Sequence, residues 1–200
     1  MDTIYYTVAR NYKWEQKIER SLFIGHASSV DSSEEAQAFV SRIREEHAQA
    51  THNCFAYQVG LGQHPLTYFN DHGEPSGTAG RPILGQINSY GLTNVLIIVI
   101  RYFGGTLLGT SGLIKAYKEA AEDAVKNAEI VEKTVDRALT VRFEYVLLND
   151  VMRTLKQFEE VSWEQNFKES CTMKLRIRKS EFQRLHDSLS QIYGVKIEKE

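Results

Sequence analysis

The chain has 200 residues, of which 42% are hydrophobic, and its 24 Lys and Arg residues nearly balance its 26 Asp and Glu residues. Whole-chain charge therefore predicts no general attraction to nucleic acid or to an anionic membrane, and binding of either kind needs a local patch. The longest apolar run, Val95–Ile100, is far shorter than the roughly 20 residues of a membrane-spanning helix, and the first ten residues do not resemble a signal peptide.

Hydrophobic periodicity predicts alternating strands and helices in the first part of the chain. In order, these are a strand over Lys17–His26, a helix from Ser32 or Ser33 to Ala48, a strand over Asn53–Val59, a helix over Ile83–Tyr90, a buried strand over Val95–Arg101 and a helix over Ser111–Asn127. The polar segment Gly60–Gly80 predicts a long loop. A loop of that length inside a compact domain usually has a function.

The pattern changes after Val131 to the order β-α-β-β-α-β. The predicted elements are Val135–Val146, Asn149–Phe158, Val161–Phe167, Cys171–Arg178, Ser180–Ile192 and Val195–Lys199. Asn149 is expected to cap the first of these helices. This order is that of the ferredoxin-like split βαβ unit. The sequence thus predicts an α+β protein with two domains, residues 1–131 and 135–200.

The densest polar cluster is Asp71–Pro82, and it predicts an anion-binding loop. Glycines there allow backbone geometries in which amide groups converge on an anion, and hydroxyls can add donors. The candidate residues are Asp71, Glu74, Ser76, Thr78 and Arg81. The alternative is an ordered surface loop that caps the next helix, with Asp71 as a turn residue.

A second glycine-rich cluster lies between the buried strand and the helix after it. Free amides and the helix dipole favour negative charge at such a helix start, and Arg101 and Lys115 could add cations. The candidate residues are Arg101, Gly104, Gly105, Thr110, Ser111 and Lys115. The segment is not a Walker A loop, because Thr110 stands where that motif has Lys. The alternative is that the glycines permit close helix–strand packing.

His52 raises the question of a metal site or a general acid/base. His52, Asp71, His72 and Glu74 fall at no fixed metal-ligand spacing, so we predict no metal. Cys54 shares a strand face with His52, but no third group completes a catalytic set. Cys54 and Cys171 lack a CxxC partner, which indicates reduced thiols in the cytoplasm.

A basic stripe marks one strand of the second domain. Lys174, Arg176 and Arg178 alternate with apolar residues, and Arg142 could extend the stripe onto a neighbouring strand. RNA-binding sheets of this type add stacking aromatics, for which Trp163 and Phe167 are candidates, but no RNP motif is present. We therefore favour a solvated sheet face.

Several segments together resemble the signature of the YigZ/IMPACT family. They are Asp71–Leu84, Arg101–Gly105, Leu108-Gly109 and Gly112-Leu113. Ala50–Tyr57 is similar to the upstream motif of that family, and Ser21 and Phe23 also fit. The sequence departs from the usual pattern at His72, where a second Asp is common, at Ser111, where Gly is usual, and at Lys115, where Arg is usual.

The resemblance implies an N-terminal βαβ sandwich similar to domain IV of elongation factor G and to the GHMP kinases. The C-terminal domain would resemble the next domain of elongation factor G. Eukaryotic relatives regulate translation initiation by binding an activator of a stress kinase, through an extra domain absent here. The resemblance implies a binding role near RNA or the ribosome, with no cofactor and no established catalysis.

Three functions follow as hypotheses. The first is a cytoplasmic, translation-associated regulator that binds RNA, the ribosome or a translation-related protein through a glycine-rich, cationic N-terminal surface. The alternative is an enzyme acting on a small phosphorylated or nucleotide ligand, with His52, Asp71 or Glu74 as acid/base. A third hypothesis, a protein-binding adaptor, predicts an exposed apolar patch near Tyr102 and Phe103.

Overall fold

The computed structural model describes residues 4–167 and 171–199. The chain divides into two compact units, one spanning Tyr5–Lys133 and the other comprising Ile4 and the residues from Thr134 onward. Each unit combines sheet and helix, which confirms the predicted α+β class with two domains. The predicted similarity to elongation factor G stays a prediction. Across the described ranges, no helix is both long and apolar enough to cross a membrane.

The first unit is built on a five-stranded antiparallel sheet of strand order β2-β3-β6-β4-β5. The elements in chain order are β1 (Ile4–Val8), β2 (Tyr12–Ile18), β3 (Ser21–Ser29), α1 (Ser33–Glu46), β4 (His52–Val59), β5 (Leu66–Asn70), α2 (Gly80–Ser89), β6 (Val95–Tyr102), α3 (Gly109–Asn127) and β7 (Ile130–Thr134). Strands β1 and β7 form a separate two-stranded sheet.

Helices cover both faces of the central strand β6. Ile98 and Ile100 belong to the core beneath α1, while Ile97 and Val99 belong to the core beneath α2 and α3. A strand that is buried on both faces reads as a continuous apolar run, since neither set of alternate side chains meets water. The predicted buried strand is therefore confirmed as the middle of the sheet.

The predicted strand over Lys17–His26 is wrong, because this stretch contains a hairpin turn. Strands β2 and β3 are joined at Glu19 and Arg20, whose φ angles of 43° and 65° lie in the left-handed region. Two-residue hairpin turns of this kind usually carry Asn or Gly. A Glu-Arg pair gives no such signal, so the turn could not be read from the residues.

The predicted loop over Gly60–Gly80 contains strand β5, which pairs with β4 so that Tyr68 lies opposite Tyr57. It is an edge strand, and its side chains are mostly exposed, so it lacks the apolar alternation that predicts a half-buried strand. The segment without regular structure is therefore shorter than predicted, and its length is weaker evidence of a function.

The start of α1 confirms the predicted cap. The Ser32 hydroxyl accepts a hydrogen bond from the Glu35 amide at 3.1 Å, and the Glu35 carboxylate accepts one from the Asp31 amide at 2.8 Å. The first bond satisfies an amide that the first helical turn leaves open, and the second ties the helix back to the residue before the cap. Helices α2 and α3 each begin before the predicted residue, at Gly80 and Gly109.

The second unit has the predicted order β-α-β-β-α-β. Its elements are β8 (Asp136–Phe143), α4 (Leu148–Leu155), β9 (Ser162–Phe167), β10 (Cys171–Arg178), α5 (Phe182–Ser190) and β11 (Lys196–Lys199). The strands form an antiparallel sheet in the order β11-β8-β10-β9. The predicted cap at Asn149 is wrong, because a 3-10 turn over Tyr145–Leu147 leads directly into α4 and Leu147 is the cap residue.

The basic stripe lies on the exposed face of this second sheet. Arg142 pairs in register with Thr172, which places it on the same face as the exposed Arg176. Arg142 forms an ion pair with Glu198 at 3.4 Å, and Arg178 pairs with Glu160. Trp163 lies opposite the buried Leu175, on the other face, and the Phe167 side chain lies outside the described residues. This geometry favours the solvated face.

His26 is a buried group without a hydrogen-bond partner, on the α1 side of β3. Its side chain is almost fully buried, and neither ring nitrogen has a partner. The ring centroid lies 6.4 Å from that of Phe39 and 6.3 Å from that of His47. Burial, reinforced by the positive charge of Lys13, lowers the pKa of His26 to about 4. The ring is therefore neutral at neutral pH.

This burial predicts a loss of stability in mild acid. The unfolded chain binds a proton at His26 below about pH 6.5, whereas the folded protein resists it until about pH 4. The contribution of the neutral, buried His26 to stability is complete above about pH 6.5, the pKa in the unfolded chain. It falls as the pH drops from there to about pH 4. Between about pH 8 and about pH 5, we expect the free energy of unfolding to fall by about 1–2 kcal/mol more in the wild type than in His26→Phe.

Denaturant unfolding monitored by circular dichroism at several pH values measures this difference. His64→Gln, at an exposed loop histidine, is the matched control and should keep the wild-type pH dependence. Identical pH dependence in wild type and His26→Phe would contradict the expectation.

Candidate functional site

A buried ion pair joins the two glycine-rich clusters: Glu74 comes from the first cluster and Arg101 from the second. Arg101 lies near the end of β6, and Glu74 lies in the turn that follows Asp71. An Nη1 hydrogen of Arg101 bonds to Glu74 Oε1 at 2.8 Å, and the two side chains are only 5% and 3% exposed. Arg101, predicted as a cation for an anionic ligand, is therefore already paired inside the protein.

Two hydroxyls extend this pair to other elements. The Tyr117 hydroxyl on α3 donates to Glu74 Oε1 at 2.9 Å. The Ser21 hydroxyl at the start of β3 accepts from Arg101 Nη2 at 3.2 Å. We call Ser21, Glu74, Arg101 and Tyr117 the polar network. It connects the hairpin, the loop before α2, the central strand and α3.

Cys54 lies against this network and is not an activated thiol. Its sulfur donates to the Asp71 carbonyl at 2.9 Å and lies 3.4 Å from the Tyr117 hydroxyl. Burial raises the pKa of Cys54 to about 12, and burial together with Cys54 and Glu74 raises the pKa of Tyr117. Both groups are therefore neutral near pH 7, and the thiolate that a nucleophilic cysteine needs is not formed.

His52 lies between the polar network and solvent. Its Nδ1 lies 3.0 Å from the His72 carbonyl oxygen, which favours the tautomer with a proton on Nδ1. Its Nε2 then faces Glu74 Oε1 at 3.7 Å, with 17% of the side chain exposed. In the part of the chain that the structure describes, no cluster of three or more His, Cys, Asp and Glu side chains could hold a metal.

The first glycine-rich cluster binds an anion that belongs to the protein itself. The Asp71 carboxylate accepts three backbone amide hydrogen bonds at 2.8–3.0 Å, from Gly77, Ala79 and Gly80. These amides lie in the cluster where the sequence predicted that backbone amides converge on an external anion. The Thr78 hydroxyl likewise donates to the Pro75 carbonyl at 2.7 Å. The geometry matches the alternative, a loop that caps α2, and it leaves Ser76 and Arg81 exposed.

The second cluster is open to solvent at the start of α3. Gly109, Thr110 and Ser111 are exposed, and no side chain caps the helix. Next to it lies a groove of about 420 Å³, between the β2–β3 hairpin and α3, which we call the α3 groove. The residues that define its chemistry are Ile18, Glu19, Leu107, Leu108, Lys115 and Glu119.

The α3 groove is more apolar and less cationic than the sequence predicts. Leu107 is 87% exposed, and Phe103 in the same loop is 43% exposed. Lys115 lies 3.8 Å from Glu119, so its charge is partly balanced, and Glu19 adds a second carboxylate. Tyr102, which the adaptor hypothesis also named, is only half-buried and bonds to His47 Nδ1 at 2.8 Å.

Gly104 is required by a close backbone approach. A Cβ atom built there would lie 1.9 Å from the Arg20 carbonyl oxygen, so the loop after β6 can pass the hairpin turn only with glycine. Gly105 has a φ of 86°, which favours glycine for a different reason. Both glycines thus have structural roles, although the close approach at Gly104 is to the hairpin turn and is not the helix–strand packing of the alternative.

Sequence reasoning missed two groups. Tyr117 was not a candidate, although it is a large polar residue on a helix face otherwise made of alanine and small apolar residues, and that contrast is a usable signal. Leu107 was missed because exposure of a single loop leucine cannot be read from the chain.

Comparison with known proteins identifies the family of this part of the chain. Residues 19–125 match the family model described as the Impact N-terminal domain, and they contain the polar network and every named residue of the α3 groove except Ile18. The IMPACT family member YvyE of Bacillus subtilis (strain 168) is 35% identical over 177 residues, which cover 88% of this chain and 81% of that protein. The chain belongs to the IMPACT family.

Two further comparisons extend the match. The IMPACT family member YigZ of Escherichia coli (strain K12) is 38% identical over 143 residues, 71% of this chain and 70% of that protein. A crystal structure described as that of a hypothetical protein is similar over 100% of this chain and 98% of its own, with a TM-score of 0.76 and 27% identity. The family likeness therefore covers both units.

The polar network predicts a large cost for breaking its ion pair. Arg101→Met leaves the Glu74 carboxylate buried without its cation, and we expect the free energy of unfolding to fall by about 3–5 kcal/mol. The double variant Glu74→Leu/Arg101→Met removes both charges and should recover part of that loss. Chemical denaturation of the three proteins measures both effects.

Lys115→Met is the matched control, since it removes an exposed ion pair on α3 and should change stability by no more than about 1 kcal/mol. Equal effects of Arg101→Met and Lys115→Met would contradict the structural importance of the buried pair.

Alanine substitution at two of the glycines should change the free energy of unfolding in opposite directions. Gly104→Ala should lower the free energy of unfolding by about 2 kcal/mol or more, because the new methyl group meets the Arg20 backbone. Gly85→Ala, on α2 where a Cβ meets nothing within 4 Å, should raise it by about 0.5–1 kcal/mol. Thermal or chemical unfolding compares the two, and stabilisation by Gly104→Ala would contradict the close approach.

Proposed function

We propose that this protein is a translation-associated binding protein that engages a ribosomal or other protein partner through the α3 groove. RNA is the other class of partner that the sequence suggested, and a cytoplasmic location goes with the proposal. The observation that carries it is Leu107, which is 87% exposed beside a groove in the family domain. An exposed apolar side chain of this kind gains free energy when a partner covers it.

The charges near the groove favour a protein over RNA. RNA affinity depends mainly on cations that contact phosphates. Arg101 is bonded to Glu74, Lys115 has Glu119 beside it, and the groove carries more carboxylates than ammonium groups. The translation-related part of the proposal is supported by the resemblance to eukaryotic regulators of translation initiation.

The enzyme alternative stays a prediction. Two of its acid/base candidates, Asp71 and Glu74, are bonded internally, although the amides at the start of α3, where the glycine loop would hold a phosphate, are not capped by a side chain. His52 faces a carboxylate that already accepts two hydrogen bonds. The binding function therefore has the stronger support.

Co-sedimentation with purified ribosomes tests the proposal. We expect the wild type to sediment with ribosomes. Leu107→Asp should have at least about tenfold lower affinity for ribosomes, because a charged side chain resists burial against a partner. Ile130→Asp, at a residue 40% exposed on β7, is the matched control and should bind normally.

A second measurement tests binding of a short fluorescein-labelled single-stranded RNA. Tight, salt-sensitive RNA binding that Lys115→Ala weakens and Leu107→Asp leaves intact would replace the protein partner with RNA. Absence of binding to both ribosomes and RNA would overturn the proposal.

A further inference from the structure

The two edges of the five-stranded sheet differ in chemistry. Strand β2 exposes Lys13, Glu15 and Lys17 at alternate positions. Strand β5, Leu66–Asn70, has no charged residue and no proline. Charges and prolines are the usual protection of an edge strand, whose free amides and carbonyls would otherwise pair with another chain. One edge of this sheet is protected and the other is not.

Strand β5 also presents an apolar surface beside its free edge. Leu66 and Tyr68 lie opposite Val59 and Tyr57, so they share the α1 face of the sheet. Leu66 is 55% exposed and Tyr68 is 43% exposed. The Tyr68 ring lies 5.5 Å from that of Tyr57, which continues the buried aromatic packing out to the edge. We call Leu66 and Tyr68 the β5 shelf.

The length of β5 argues against a second copy as the occupant. A five-residue strand is roughly 17 Å long. A stable dimer needs about 1,200 Å² of buried surface or more, which a strand pair this short cannot supply by itself. Addition of a peptide strand does not have this requirement, because backbone hydrogen bonds supply the affinity and alternate side chains supply the selectivity.

We propose that the β5 edge is a strand-addition site for an extended segment of a partner protein. That segment has an uncharged centre, because β5 offers no charge to pair with. It carries aliphatic side chains at alternate positions that pack on Leu66 and Tyr68. The site uses no residue of the α3 groove and is independent of the function proposed above.

Solution NMR of the isotope-labelled full chain tests this site. The probe is a synthetic heptapeptide, acetyl-Lys-Val-Thr-Val-Thr-Val-Lys-amide, and its control has proline at the central position, which removes an amide and breaks strand pairing. We expect saturable shifts of the Leu66–Asn70 amides with the probe, with a dissociation constant below about 1 mM, and none with the proline peptide.

Two variants separate the two sheet edges. Leu66→Lys places a charge on the β5 shelf and should weaken peptide binding at least about fivefold. Glu15→Lys, on β2, should leave binding unchanged. Amide shifts confined to Tyr12–Ile18, or no shift of β5 with excess peptide, would overturn the site.

Analytical ultracentrifugation tests whether a second copy of the chain binds to β5 instead. Reversible dimerisation of the wild type that Leu66→Lys abolishes would assign β5 to a second copy and overturn the proposal of a peptide partner. A monomer at all concentrations, together with peptide-induced shifts at β5, supports it.

Discussion

The ion pair between Arg101 and Glu74 is the interaction on which the first unit depends. Each charge is costly to remove from water, and the cost is offset only when both partners and their hydroxyl neighbours are in place. Because Ser21, Glu74 and Tyr117 come from distant parts of the chain, the pair is satisfied by one arrangement of strands, loop and helix. An arrangement that separates the two residues leaves a buried charge without its partner and is therefore disfavoured.

The two glycine-rich clusters show how one kind of sequence can serve different purposes. In the loop before α2, converging amides bind the carboxylate of Asp71, so these amides already have a partner within the protein. At the start of α3, no side chain closes the helix end, and Leu107 projects into solvent. Both sequences predict an anion site. Glycine content indicates only that the backbone can bring amides together, and it does not identify the group that accepts their hydrogen bonds.

Elements with strong periodicity could be predicted, and those that depend on tertiary contacts could not. The buried strand β6 and the capped helix α1 follow from apolar spacing and from Ser32. The turn at Glu19 and Arg20 is imposed by the strands that it joins, and β5 is held by its pairing with β4. At the site, the sequence pointed to Glu74 and Arg101, but their bonding to each other was not predictable, since the hydrogen bonds of the network join residues up to 80 positions apart.

The sheet order also constrains when the first unit can fold. Strand β3 pairs with β6, so Ser29 meets Val95 about 66 residues later in the chain. At a synthesis rate of about 5–20 residues per second, the β2–β3 hairpin waits several seconds for its neighbour. During that time the apolar faces of β3 and β4 are uncovered in the growing chain. The central strand is made after both of the strands that flank it, which exposes this protein to chaperone binding and misassociation while it is being translated.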